Sequence, residues 1–157
     1  MSKDSISKYQ HLTPNTGFSV SRAIMSMIED NMEINRFTKG DFELAVNFAT
    51  SAWNLAIIND DMIISLLVKT IAKELKKEVK KSQKQVEAML IALVKLKNKL
   101  YGNAYRIIGD YDASFKDGEP YLKIASGQDM PSDYFANHYR KTLFGNQKYG
   151  WVKNEDL

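Results

Sequence analysis

The chain of 157 residues contains no cysteine. Disulfide bonds, thiolate metal sites and cysteine nucleophiles are therefore excluded, and a reducing, cytoplasmic compartment is expected. Long apolar runs are also missing, since the longest, such as "AMLIALV", cover about seven residues, against the roughly 20 residues that a spanning helix needs. The stretch "MSKDSISKYQHL" at the N-terminus has no apolar core of signal-peptide length. We expect a protein without membrane association.

Recognisable catalytic and ligand-binding motifs are absent as well. The sequence has no glycine-rich phosphate loop and no G-x-S-x-G nucleophile elbow. Its two histidines, His11 and His138, have no carboxylate or second histidine at metal-ligand spacing. Asp110 and Asp112 share one face of a predicted strand, which we interpret as a solvated face rather than an acid–base site. We predict no catalytic, cofactor-binding or metal site, and a protein that is not an enzyme.

Apolar residues at three- and four-residue steps predict helices along most of the chain. A polar N-terminal arm over 1–17 is followed by a first helical pattern from Phe18 to Met32. The next pattern, over 42–56, is apolar most of the way round the helix, which predicts a central, buried helix. Trp53 belongs to its main apolar stripe, so we expect the indole to be buried.

Residues 61–101 contain neither glycine nor proline. A single helix over this range would be roughly 60 Å long. Ser82 followed by Gln85 matches a capping box, which marks the start of a new helix. The capping box favours two antiparallel helices that turn near Lys81, and one long helix is the alternative.

A β-hairpin is predicted after Gly102, near residues 104–126. Branched and aromatic residues flank "KDGE", whose Asp117-Gly118 pair is typical of a two-residue hairpin turn. A short helix, "DYFANHYRKTLF", follows. The predicted fold class is mainly α (α+β): a four-helix core with a β-hairpin and a short C-terminal helix, within a single helical domain over 18–157.

Two segments carry a resemblance to a known group of proteins. "SAWNLAII" and, some fifty residues later, "RIIGDYDASFKDGEPYLKIAS" resemble a loose group of bacterial proteins linked to plasmids and phages. The resemblance implies the helix–helix–hairpin layout and a mobile-element origin, and it implies no activity. Some members have a cysteine-rich metal-binding tail, which this cysteine-free sequence cannot have. The matching residues are Trp53, Asn54, Leu55, Arg106, Ile107, Ile108, Asp110, Tyr111, Asp117, Gly118, Leu122, Ile124, Ala125 and Ser126.

Positive charge is concentrated in one segment. Residues 69–84, "KTIAKELKKEVKKSQK", contain seven lysines, two glutamates, and no arginine or aromatic residue, although the formal net charge of the whole chain is only +3. Three interpretations stay open: a solvated helix face, a surface for an acidic protein partner, and a nucleic-acid-binding surface. The lack of arginine and aromatic residues favours the solvated face. Steps of four, three, four and four residues place these lysines on one helix face: Lys69, Lys73, Lys76, Lys80 and Lys84.

Aromatic residues are concentrated near the C-terminus, among cationic ones. Such a mixture can anchor a protein interface or stack on single-stranded nucleic acid. It can also cover the helical bundle, which is the interpretation we favour. The candidate partner-binding residues in this segment are Tyr134, Tyr139, Arg140 and Trp151.

Taken together, these features predict a non-catalytic protein-interaction or accessory protein of a mobile genetic element. The expected partner is a protein. The alternative is a nucleic-acid-binding accessory protein that uses the lysine-rich helix face, and its binding would weaken steeply as salt rises. No oligomeric state is indicated.

Overall fold

The computed structural model describes residues 19–31 and 38–144. In this part of the chain, five helices surround a common core and a two-stranded antiparallel hairpin packs onto it. The predicted fold class is confirmed, while the predicted arm over 1–17 lies outside the described residues. The elements are α1 (Val20–Asn31), α2 (Lys39–Ile58), α3 (Asp61–Val79), α4 (Gln83–Tyr101), β1 (Ile108–Lys116), β2 (Glu119–Ser126) and α5 (Tyr134–Phe144).

Helix α2 is the centre of the molecule. Thr38 and Asp41 form a capping box at its start, in which each side chain accepts a hydrogen bond from the other residue's backbone N–H. The helix packs against α1, α3, α4, α5 and β1, which accounts for apolar residues on all its sides. The predictions of a central helix and of a buried Trp53 are confirmed, since the indole is fully buried.

The segment 61–101 forms two helices, as the capping box predicts, and the single-helix alternative is wrong. Helix α3 ends at Val79, and Lys80 adopts the left-handed conformation with φ 54°. Ser82 and Gln85 then form the reciprocal capping bonds of α4. The chain reverses over these few residues, so α3 and α4 pack side by side as a helical hairpin.

The β-hairpin turns at Asp117 and Gly118, as predicted. Both residues have positive φ, 54° and 79°, which a two-residue type I′ turn requires. Ile108 and Ala113 both face the core although five residues separate them, and strict alternation would place them on opposite faces. A register shift between Ile108 and Asp110 inserts one extra residue and brings both onto the buried side.

The outer face of the hairpin is polar. Asp110 and Asp112 are exposed, so the interpretation of a solvated face is confirmed. Strand β1 begins at Ile108 rather than near residue 104, because the carbonyls of Ala104 and Arg106 accept hydrogen bonds from side chains of α4 and α2. The carbonyls of Tyr105 and Ile107 accept from Met130 and Gly127, in the loop after β2. No helix within the described residues is both long and apolar enough to cross a bilayer.

Candidate functional site

The lysines of residues 69–84 extend along the second half of α3, through the turn, to the start of α4. Six of the seven are exposed, and Lys76 is half-buried. We call this set the lysine surface: Lys69, Lys73, Lys76, Lys77, Lys80, Lys81 and Lys84. The expectation that Lys69, Lys73, Lys76, Lys80 and Lys84 share one face of one helix is wrong. Lys69, Lys73 and Lys76 lie on α3, Lys80 lies in the turn, and Lys84 lies on α4.

Carboxylates neutralise the lysine surface only in part, since residues 69–84 hold seven lysines and two exposed glutamates, Glu74 and Glu78. Among the described residues, the ion pairs join Lys39 to Glu43 and Arg140 to Asp60, and none involves a lysine of this surface. Glu74 is an exposed neighbour on α3, yet it makes no such contact. Repulsion between neighbouring cations raises the free energy of the isolated surface, and an anionic partner would lower it.

A rigid apolar base supports these cations. Val68, Ala72 and Leu75 are buried on the inner side of α3, and Val86 and Leu90 are buried on α4. The two helices contact each other along this seam. Most of the lysine surface is therefore positioned by packed helices, which limits the conformational freedom of its backbone, while Lys80 and Lys81 lie in the short turn between them.

The candidate aromatic residues of α5 have different surroundings. Phe135 is buried, Tyr139 is half-buried against the core, and Tyr134 remains 45% exposed. The interpretation that these residues cover the bundle therefore holds for Phe135 and Tyr139, whereas Tyr134 presents a surface. Trp151 lies outside the described residues.

Arg140 joins α5 to the start of α3. Its guanidinium contacts the Asp60 carboxylate at 2.8 Å and also donates to the side chain of Asn137 at 2.9 Å. The second oxygen of Asp60 accepts hydrogen bonds from the backbone N–H groups of Met62 and Ile63, which caps α3. The surroundings of Arg140 therefore give it a structural role, in addition to the partner-binding role expected from the sequence.

A second polar arrangement, which sequence reasoning missed, joins α2 to the start of the hairpin. The Trp53 indole N–H donates to the carbonyl oxygen of Arg106 at 2.8 Å. The Asn54 amide bonds both backbone groups of Ile108: its oxygen accepts from the N–H at 2.8 Å, and its nitrogen donates to the carbonyl at 2.9 Å. We call this contact, together with Lys97, the buried joint. No local pattern in the sequence indicates these contacts, because their partners are more than 50 residues apart in the chain.

Lys97 completes the buried joint from α4. Its side chain is fully buried, its ammonium group donates to the Ala104 carbonyl at 2.6 Å, and it lies 4.9 Å from the centre of the Trp53 ring. Burial lowers the pKa of Lys97 to about 8, and the opposing effect of the Asp129 carboxylate is smaller. The position could have been found from the sequence, because Val86, Leu90, Leu93 and Lys97 follow one helical stripe.

A cleft of about 400 Å³ opens beside the buried joint. Its lining includes Tyr101, Arg106 and Asp129, but Lys97 lies behind this lining. Arg106 donates to the carbonyl of Gly127, and Asp129 accepts from the backbone N–H of Tyr105. These polar groups thus hold the loops around the cleft in place. Within the described ranges, no three His, Asp or Glu side chains are arranged to hold a metal ion.

Comparisons with known proteins give no relative. No protein-family model, curated protein or solved structure matches the chain.

Proposed function

We propose that this chain is a non-catalytic interaction protein that binds an acidic protein partner through the lysine surface. The observation that carries the proposal is a group of seven lysines along the second half of α3, the turn and the start of α4, none of them ion-paired in the described part of the chain. A net positive charge favours association with an acidic surface and accelerates encounter with it.

The conformation of Lys80 supports a role for its charge. Asn59, at the end of α2, and Lys80, at the end of α3, both adopt the left-handed conformation, with φ 55° and 54°. Asparagine and glycine tolerate this conformation, whereas other L-residues lose about 1–2 kcal/mol in it. A lysine at such a position is therefore unfavourable for the fold, and binding by its ammonium group would explain its presence there.

A nucleic-acid partner is the alternative, and the lysine surface fits it less well. Nucleic-acid-binding surfaces usually combine lysine with arginine and with aromatic residues that stack on bases. Residues 69–84 contain neither, and Glu74 and Glu78 interrupt the lysines. A cytoplasmic location and a mobile-element origin complete the proposal. The absence of cysteine supports the first, and the resemblance of the Trp-Asn-Leu and hairpin segments supports the second.

The experiment compares two variants that lose the same charge. The test variant changes Lys73, Lys76, Lys80 and Lys84 to glutamine. The matched control changes four exposed lysines elsewhere, Lys39, Lys116, Lys123 and Lys141, to glutamine. Each protein is used to capture partners from a nuclease-treated lysate of the organism that encodes it, and captured proteins are identified by mass spectrometry. Surface substitutions of this kind usually change stability by less than about 0.5 kcal/mol each, so both variants should fold.

The expected result is an acidic protein that is retained by the wild type and the control and lost with the test variant. Equal retention by the test variant would contradict the proposal. Binding to mixed single- and double-stranded DNA and RNA at two salt concentrations tests the alternative. Nanomolar binding that the test variant loses would establish a nucleic-acid partner, whereas non-specific binding is on the order of 10⁻⁴–10⁻⁶ M at physiological salt.

A further inference from the structure

The outward side of α4 has an apolar centre between lysines. Lys84, Ala88, Ile91 and Lys95 follow steps of four, three and four residues and are all exposed, so they lie on one side of the helix. Ala92 is exposed beside Ile91. The Ile91 side chain is 41% exposed, although isoleucine is among the residues most often buried. We call these five residues the α4 outer face.

The charge on this side of the helix has one sign. Helix α4 contains a single carboxylate, Glu87, which is half-buried, and it exposes lysines at 84, 95 and 99. Lys84 also belongs to the lysine surface, so the positive charge continues from the end of the helical hairpin along α4. The α4 outer face thus combines a small apolar contact area with cations at both ends.

We infer that the α4 outer face binds an amphipathic, acidic helix of the partner protein. This inference rests on the proposed function and names the kind of partner that the lysine surface serves. Apolar side chains of such a helix would contact Ile91 and the two alanines. Its carboxylates would meet Lys84 at one end and Lys95 at the other. These two lysines are separated by roughly 16 Å of helix, so a partner helix of about three turns would cover the site.

Charge distinguishes this partner from the other occupants. A second copy of the chain, related by two-fold symmetry, would bring the same patch onto itself and oppose lysine with lysine. Nucleic acid would satisfy the lysines through its phosphates, but it would leave Ile91 without an apolar contact. An acidic helix with one apolar stripe satisfies both parts of the face, because it presents apolar side chains and carboxylates together.

The test uses three synthetic helical peptides and the full-length protein. The first peptide carries leucines at i, i+3, i+4 and i+7 with glutamates on both flanks of that stripe. In the second peptide the leucines are replaced by serine, and in the third the glutamates are replaced by glutamine. Binding is measured by fluorescence anisotropy. The protein variants are Ile91→Ser and Lys95→Gln, with Met62→Ser and Lys123→Gln as controls, because Met62 is 48% exposed on α3 and Lys123 is exposed on β2.

We expect the first peptide to bind the wild type at least about tenfold more tightly than either of the other peptides. Ile91→Ser should weaken it about three- to sevenfold, since only the 41% of the side chain that is exposed remains to be buried. Lys95→Gln should weaken it about threefold and reduce the salt dependence. The two control variants should change the affinity by less than about twofold. Melting curves establish that each variant is folded.

Two outcomes would overturn the inference. Equal binding of the serine-substituted peptide would show that charge alone determines binding. Unchanged affinity of the Ile91→Ser protein would place the contact elsewhere. Neither result affects the proposed function. The proposed function fails only if the four-lysine test variant still captures the acidic protein from lysate. If the four-lysine variant loses the acidic protein while Ile91→Ser and Lys95→Gln still capture it, the inference about the α4 outer face is wrong and the proposed function stands.

Discussion

The buried joint and the lysine surface use polar residues in opposite ways. In the buried joint, Trp53, Asn54 and Lys97 each bond a backbone group of the segment that leads into the hairpin. In the lysine surface, seven cations have no ion pair within the described residues. The polar groups of the joint are satisfied within the fold, so they act on stability. Those of the lysine surface are available to a partner.

The structural surroundings of Lys97 account for its lowered pKa. A buried lysine with a lowered pKa is a general signal of catalysis. In this protein the ammonium group of Lys97 is held by the Ala104 carbonyl and by the faces of two aromatic rings, those of Trp53 and Tyr105. It does not line the neighbouring cleft. The contacts of Lys97 connect α4 to the segment before β1.

The largest expected effect is that of Trp53→Ala. This substitution removes a fully buried side chain and its hydrogen bond to Arg106, and it should lower the free energy of unfolding by about 3–5 kcal/mol. Chemical denaturation measures the change. Trp53→Phe is the control that keeps a buried ring and loses the N–H donor, so it should cost less. If the melting temperature of Trp53→Ala is unchanged, the buried joint does not contribute to stability and does not differ from the lysine surface in this respect.

Asn54→Ala tests the hydrogen-bonding part of the joint without removing a large apolar side chain. Both the N–H and the carbonyl of Ile108 lose their partner, and the expected loss of stability is about 2–3 kcal/mol. Asn54→Asp keeps an acceptor for the N–H but offers no donor to the carbonyl, so its stability should lie between those of the wild type and Asn54→Ala. A loss below about 0.5 kcal/mol for Asn54→Ala would mean that water replaces the amide at no cost.

Lys97 makes the stability of the protein depend on pH. The pKa of Lys97 is about 8 in the folded protein, whereas an unburied lysine has a pKa of 10.5. Between these two pH values the unfolded chain therefore binds more protons than the folded protein. Stability should therefore rise with pH through this window, by on the order of 2 kcal/mol from pH 7.5 to 10. The measurement is urea denaturation of the wild type and Lys97→Met at several pH values. Only the wild type should show this rise, and parallel curves would contradict the assignment.

Lys80→Gly should have the smallest effect, and in the opposite direction. Glycine adopts a positive φ without strain, so this substitution should stabilise the protein by about 0.5–1 kcal/mol while it weakens partner binding. Asn59→Gly is the matched control, because the φ values are nearly equal and asparagine already tolerates them. If the Lys80→Gly protein is stabilised and still binds the partner fully, the strained conformation of Lys80 does not serve partner binding.

Local patterns in the sequence were sufficient for the helices and the hairpin. Capping boxes and apolar periodicity depend on neighbours within a few residues, and Ser82 with Gln85 correctly marked the start of α4. The left-handed Lys80 was not predicted, because lysine has no preference for that conformation. Its effect on the site was large, since it divides the predicted lysine face between two helices.

The contacts of the buried joint could not be derived from periodicity. Trp53 and Arg106, like Asn54 and Ile108, are more than 50 residues apart in the chain. Only the packing of α2 against β1 brings them together. The burial of Lys97 was within reach, because it continues a stripe of buried residues, whereas the apolar Leu100 is 42% exposed. Hydrophobicity alone ranks these two positions in the wrong order.

The Asn54 amide has a consequence for the boundary of the β-sheet. Because its oxygen and nitrogen bond the N–H and the carbonyl of the same residue, Ile108, the amide occupies the place that a third strand would take beside β1. An open strand edge invites pairing with another chain, and natural proteins often block such edges. A single side chain from the central helix thus closes the beginning of this edge and favours a two-stranded sheet. Loss of Asn54 would expose a template for intermolecular strand pairing.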